Sequence, residues 1–247
     1  MNVAALVGRR VLVTRAADDA AAWARRLENI GAVPVLFPCL TTVRIEDHAT
    51  VQQLRDGVAN ADWLGLSSRR GVDAAAALLG APLPARVRVA AVGPATARAA
   101  TEAWGRVDLV ATLPTSEGLA AELSRTVPLG ENAPAPLVVL AGALDGRREA
   151  ESLLLTRGWR VLTVAVYRTV PTPASDERVN LDTVAPDDIL LASPSAVTGL
   201  LNRAVPSRTA RIFTIGPTTT AAARAAGLVV TAEARRPGLE GLLEAMQ

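Results

Sequence analysis

The chain of 247 residues has no lysine, one histidine (His48), one cysteine (Cys39) and one tyrosine (Tyr167). With every basic residue an arginine, Schiff-base chemistry and the lysine of a phosphate-binding P-loop are excluded. A single cysteine excludes an internal disulfide, and one cysteine with one histidine falls short of a zinc ligand set, so no metal site is expected. A Ser-His-Asp triad would have to use His48, which stands in the polar stretch IEDHAT and reads as a solvated helix start. Cys39 follows Pro38 at the end of an apolar run and reads as a packed thiol. Aromatic residues make up 3% of the chain and the net charge is +2, so neither a base-stacking surface nor a strong field for nucleic acid is expected. No apolar run approaches the ~18 residues of a membrane helix. The N-terminal MNVAALVGRR sets its apolar patch ahead of its arginines, the reverse of a secretory signal. These absences point to a cytoplasmic protein without a membrane or nucleic-acid partner.

What is present is α/β patterning. Half of the residues are apolar, enough for a substantial core. Expected strands cover 10–15, 33–38, 62–68, 87–93, 107–112, 136–142, 160–170, 187–193, 211–216 and 228–234. Near-continuous Val, Leu and Ile runs suit strands buried on both faces of parallel sheets. Alanine-rich amphipathic stretches lie between them. In 18–31, for example, Ala22, Leu27 and Ile30 share a face, Asp18 or Asp19 can cap, and Gly31 can stop the helix.

The chain also repeats itself at a spacing of about 125 residues, far longer than a solenoid repeat. VLVTRAADDAAAWARRLENIGAVPVLFP pairs with VVLAGALDGRREAESLLLTRGWRVLTVAVY. ADWLGLSSRRGVDAAAALL pairs with DDILLASPSAVTGLLNRA, and the blocks opening on VGPATARAA and IGPTTTAAARAA pair in turn. Three blocks in one order indicate a duplicated α/β unit. Two long extended segments, 33–45 and 160–173, occupy matching places and are expected to run side by side as a two-stranded hinge.

In open parallel sheets, ligands bind beyond the carboxyl ends of the strands. Here those ends carry Thr14-Arg15, Ser67-Ser68-Arg69, Gly93-Pro94-Ala95-Thr96, Thr115-Ser116, Gly142, Ser193-Pro194-Ser195 and Gly216-Pro217-Thr218-Thr219. Nearly all precede helices, whose free N–H groups and partial positive charge make anion sites without a basic side chain. In the two Gly-Pro elements, glycine is expected to allow a tight exit and proline to occupy the first helical position. Tyr167 in VAVYRTV has two open readings, a proton donor or an amphipathic ring packed where strands cross.

Taken together, VLVTR, DWLGLSSRRGV, AVGPATARAA, PTSEGLAAEL, LVVLAG, VYRTV, ILLASPSAV, IGPTTTAAARAAG and PGLEGLLEAM resemble the uroporphyrinogen-III synthase family along essentially the whole chain. The resemblance implies two parallel-sheet, flavodoxin-like α/β domains joined by a two-stranded β hinge, with the active site in the cleft between them. It implies one domain from 1–38 with 174–247, and a second from 39–173 that includes hinge strands at about 38–45 and 164–173. The implied reaction cyclises hydroxymethylbilane, a polycarboxylate, to uroporphyrinogen III with loss of water and inversion of the last ring through a spiro intermediate. No cofactor is implied, and a monomer is expected. A catalytically silent, two-lobed binding or regulatory protein of the same fold is the alternative.

Carried over by position, Tyr167 becomes the candidate for assisting loss of the hydroxyl. Thr96, Thr218, Thr219, Ser193 and Ser195 become carboxylate-binding or positioning residues, and Thr14, Arg15, Ser67, Ser68, Ser116 and Gly142 join them as substrate-binding candidates. The chain departs from the family pattern at Ala16, where proline is common, and at Arg69-Arg70, which follow Leu66-Ser67-Ser68. Arg69 is expected to meet a substrate carboxylate.

Overall fold

The Val/Leu/Ile runs become the central strands of two sheets. The computed structural model describes residues 6–127, 134–146 and 148–247. Residues 1–5 of the N-terminal stretch read above lie outside them. From the N-terminal side come β1 (Arg10–Val13), α1 (Ala17–Glu28), β2 (Val33–Leu36), β3 (Leu40–Arg44), α2 (His48–Asn60), β4 (Trp63–Leu66), α3 (Arg69–Leu79), β5 (Arg88–Ala91), α4 (Pro94–Trp104), β6 (Leu109–Val110) and α5 (Ser116–Thr126). They are followed by β7 (Leu137–Ala143), α6 (Glu149–Thr156), β8 (Arg160–Pro171), β9 (Val179–Asn180), α7 (Leu181–Val184), β10 (Asp188–Leu191) and α8 (Pro194–Arg203). The series closes with β11 (Ala204–Val205), β12 (Arg211–Thr214), α9 (Pro217–Ala225), β13 (Ala232–Glu233) and α10 (Leu239–Ala245).

The chain divides into two compact units, Met1–Thr41 with Thr169–Gln247, and Thr42–Arg168. The first holds a parallel sheet in the order β2-β1-β10-β12-β13. The six-stranded sheet has the order β3-β8-β7-β4-β5-β6, parallel from β8 to β6. Setting β3 aside, the two orders correspond strand for strand: β2 to β8, β1 to β7, β10 to β4, β12 to β5 and β13 to β6. The sequence repeat follows the same correspondence. Its first block supplies β1-α1-β2 to one sheet and β7-α6-β8 to the other, and each joins the later blocks from the opposite half of the chain.

Burial on both faces explains the strand composition. In β1, Val11 and Val13 pack with Leu27, Phe213 and Leu242, while Leu12, pointing the other way, packs with Ile189, Leu200 and Ile212. In the second unit, Leu64 and Leu66 join Leu54, Val72 and Leu78 on one face, and Trp63 joins Leu119, Leu123 and Leu154 on the other. Each such fully buried side chain contributes about 1.5–3 kcal/mol of transfer free energy.

Four details differ from the sequence-based expectations. The segment 33–45 is not one strand. The Phe37 and Cys39 amides still donate to the Val13 and Thr14 carbonyls, but Pro38 brings no N–H, and β3 belongs to the other sheet. Helix α1 starts at Ala17 after Ala16, with no side-chain cap, so Asp18 and Asp19 fall within its first turn. The runs 107–112 and 228–234 form only the two-residue edge strands β6 and β13. In both Gly-Pro elements the proline does occupy the first helical position, but Gly93 and Gly216 have φ of 176° and 170°, extended backbone open to any residue. A Cβ at Gly93 would come within 3.3 Å of Pro114, whereas nothing lies within 4 Å of one at Gly216. Close approach therefore applies to the first copy only.

Candidate active site

The chain order of the second sheet reverses between β7 and β4, and a cavity of about 420 Å³ opens at their carboxyl ends. This is the switch point at which open α/β sheets hold ligands. Ser67 and Ser68 after β4, Ser116 at the start of α5, and Gly142 in β7 line it, together with Tyr167. Alternation along β8 turns Thr163, Ala165 and Tyr167 to the cavity. The β7–β8 register shifts between Gly142 and Ala143, which pair with Ala165 and Tyr167. Such a bulge locally re-aims side chains.

Tyr167 is 5% exposed, and its phenol oxygen lies 3.2 Å from the Ser68 hydroxyl. Ser68 also caps α3, accepting from the Gly71 amide at 3.0 Å. The Arg70 guanidinium lies over the Tyr167 ring at 5.7 Å. The arginine that reaches the tyrosine is thus Arg70. Arg69 does not line the cavity: it is exposed and faces Asp73 at 3.7 Å and Glu102 at 4.0 Å.

Sequence reasoning missed Thr50, Gln53, Arg148, Glu151 and Thr163, which also line the cavity. Thr50 and Gln53 share a face of α2 at i, i+3. Arg148 sits between β7 and α6, where the strand-end rule, followed beyond Gly142, would have found it. Its guanidinium pairs with Glu151 at 3.0 Å, and Thr163 donates to the same carboxylate oxygen at 3.1 Å. N–H groups for an anionic ligand are offered by the N-terminal turns of α3 and α5, while the charge of Arg148 is largely offset by Glu151 in the first turn of α6.

The remaining candidates are placed differently. Thr96 is buried in the first turn of α4 and does not line the cavity. In the first unit, Thr14 is fully buried and donates to the Leu190 carbonyl at 2.6 Å. Arg15 pairs with Asp19 at 3.3 Å and lies over Trp23. Ser193 caps α8 by accepting from the Ala196 amide, the counterpart of Ser68, and Ser195 follows in that helix's first turn. Thr218 is exposed, while Thr219 is buried at the position matching Thr96.

Fold and site together define an α/β protein with two parallel sheets, one carrying a hydroxyl-rich small-molecule cavity at its switch point. The chain belongs to the uroporphyrinogen-III synthase family: the family profile described as "Uroporphyrinogen-III synthase HemD" matches residues 21–244. It is 26% identical over 212 residues to a uroporphyrinogen-III synthase of Synechococcus elongatus, covering 84% of this chain and 74% of that one. It is 29% identical over 102 residues to a porphyrin biosynthesis protein HemD of Ruminiclostridium josui, a match spanning 39% of this chain and 20% of the relative's length. The crystal structure of uroporphyrinogen-III synthetase from Helicobacter pylori shares the fold, with a TM-score of 0.52 at 14% identity over 96% of this chain and 97% of that one. A mutant uroporphyrinogen III synthase from Thermus thermophilus has a TM-score of 0.49 at 23% identity, with 96% of each chain covered.

Proposed function

We propose that this chain is itself a uroporphyrinogen-III synthase acting in tetrapyrrole biosynthesis, and that Tyr167 is the group assisting departure of the hydroxyl of hydroxymethylbilane. The observation carrying this reading is the placement of the only tyrosine, mostly buried and hydrogen-bonded, in the wall of the switch-point cavity.

In this reading the phenol donates a proton as the C–O bond breaks, and water leaves. The ring carbon at the far end attacks at its already substituted position, giving the spiro intermediate. That intermediate fragments and recloses with the last ring inverted. Proton donation by a positioned group is worth ~10²–10⁴-fold in rate. Holding the bilane in the productive fold supplies the choice of isomer. A cavity of about 420 Å³ lies at the small end of ligand sites, ~300–1,000 Å³. It therefore takes the reacting end of the tetrapyrrole and leaves carboxylates for groups outside it. Ser67, Ser116, Arg148 and the adjoining helix N-termini are the carboxylate-binding groups of the cavity.

The division into two compact units, with boundaries inside β3 and β8, supports the two-domain organisation, 1–38 with 174–247 and 39–173. A monomer in the cytoplasm, using no cofactor and binding neither membrane nor nucleic acid, completes the proposal. The test is to supply hydroxymethylbilane generated in situ, oxidise the products and resolve the porphyrin isomers. Isomer III supports the reading, and isomer I alone defeats it.

A further inference from the structure

The first turn of α3 grips Tyr167 at two points. Ser68, its N-cap, touches the phenol oxygen, and Arg70, two residues on, covers the ring. The Ser68 hydroxyl oxygen is held by the Gly71 N–H at 3.0 Å, which fixes its position and leaves its single hydrogen available. Two arrangements of the 3.2 Å contact to Tyr167 are open to chemistry. If the phenol donated to Ser68, its proton would be committed inside the wall. If Ser68 donates, the phenol proton is released toward the cavity that Thr163, Ala165 and Tyr167 line.

We propose that Ser68 is a positioning residue that donates to the Tyr167 phenol oxygen and thereby aims the phenol O–H into the cavity. This rests on the reading of Tyr167 as proton donor. Besides Arg70 over the ring, the charged side chains lining the same cavity among the described residues are Arg148 and Glu151, which pair with each other. The helix cap thus acts twice, because the residue that satisfies the amide of α3 also sets the direction of the acid.

Capping and aiming separate by substitution. At an N-cap, alanine destabilises a helix clearly more than glycine does, yet both remove the hydroxyl. Ser68→Ala and Ser68→Gly are expected to lower kcat equally, about tenfold or more, with KM changed less than about twofold. Ser68→Thr, which keeps the hydroxyl, is expected to restore most of the rate. Because the chain has one tyrosine, protein made with ¹³Cζ-labelled tyrosine gives one resonance reporting on that hydrogen bond. It should shift in Ser68→Ala and Ser68→Gly, and return in Ser68→Thr. Activity that follows helix stability, with glycine near wild type and alanine impaired, would overturn the proposal, as would an unmoved resonance. The resonance is read without substrate. A shifted resonance together with a fully active Tyr167→Phe variant would sink the proton-donor reading while leaving the Ser68–Tyr167 contact standing.

Discussion

Arg9 and Asp188, 179 residues apart, form a two-pronged ion pair: Nε to Oδ2 at 2.6 Å and Nη2 to Oδ1 at 2.9 Å. Asp188 is wholly buried at the start of β10, and Arg211 at the start of β12 donates to it at 2.8 Å. The pair ties a segment from the first half of the chain to one from the second, within one sheet. The Asp188 hydrogen bond raises the Arg9 guanidinium above its ordinary pKa.

Asp188→Ala leaves two arginines facing a buried gap. Because both arginines are part-exposed and water can solvate them once the carboxylate is gone, the cost should fall below the ~3–5 kcal/mol of a fully buried pair. The midpoint of urea unfolding should fall accordingly. An unchanged midpoint would show that solvent replaces the carboxylate without cost.

Two glycines should respond differently to alanine. Gly118 stands in the first turn of α5, where a methyl group would run into the backbone carbonyl of Leu113. Ordinarily alanine gains about 0.8–1 kcal/mol over glycine in a helix. Here Gly118→Ala should lower Tm, because backbone atoms must move. Gly216→Ala meets nothing within 4 Å and has extended φ, so its Tm should stay close to wild type. Gly241, the counterpart of Gly118 in the repeat, meets the Arg236 carbonyl in the same way.

Cys39 gives a pH signature. Its thiol is buried, donates to the Phe37 carbonyl at 3.2 Å, and is pushed up by burial from 9.0 to about 12, against the opposing influence of Arg203. The folded-state value is raised. The thiol's contribution to stability is therefore fully present below the unfolded value near 9, and is lost as pH rises toward about 12. At pH 8 a thiol-specific disulfide reagent should leave the native protein unmodified and titrate one thiol after unfolding. Fast labelling of the native chain would contradict the buried placement.

The repeat was legible because duplicated blocks keep their order, and the strand orders of the two sheets follow it. The passage of the chain from one domain to the other within 33–45 was also legible, from its length and its match to 160–173, but its split into β2 and β3 was not, because one proline inside an otherwise β-rich run does not by itself mark a strand break. At the site, strand ends found Ser67, Ser68, Ser116 and Gly142, but could not tell a hydroxyl facing a cavity from one facing the core. Thr14, Thr96 and Thr219 all turned inward. Tyr167 stood out as the only tyrosine, yet its partner Ser68 lies 99 residues away, a distance no local pattern spans. Asp188 read as a strand start, since nothing in DDILLAS signals one arginine just ahead of β1 and another opening β12.

The most direct measurement compares wild type with Tyr167→Phe on hydroxymethylbilane, resolving porphyrin isomers over time. Phenylalanine keeps the ring under Arg70 and removes only the phenol oxygen. Wild type should give isomer III. The variant should turn over at least ~100-fold more slowly, so that spontaneously closed isomer I accumulates in its place. Isomer III formed by Tyr167→Phe at the wild-type rate would contradict the account.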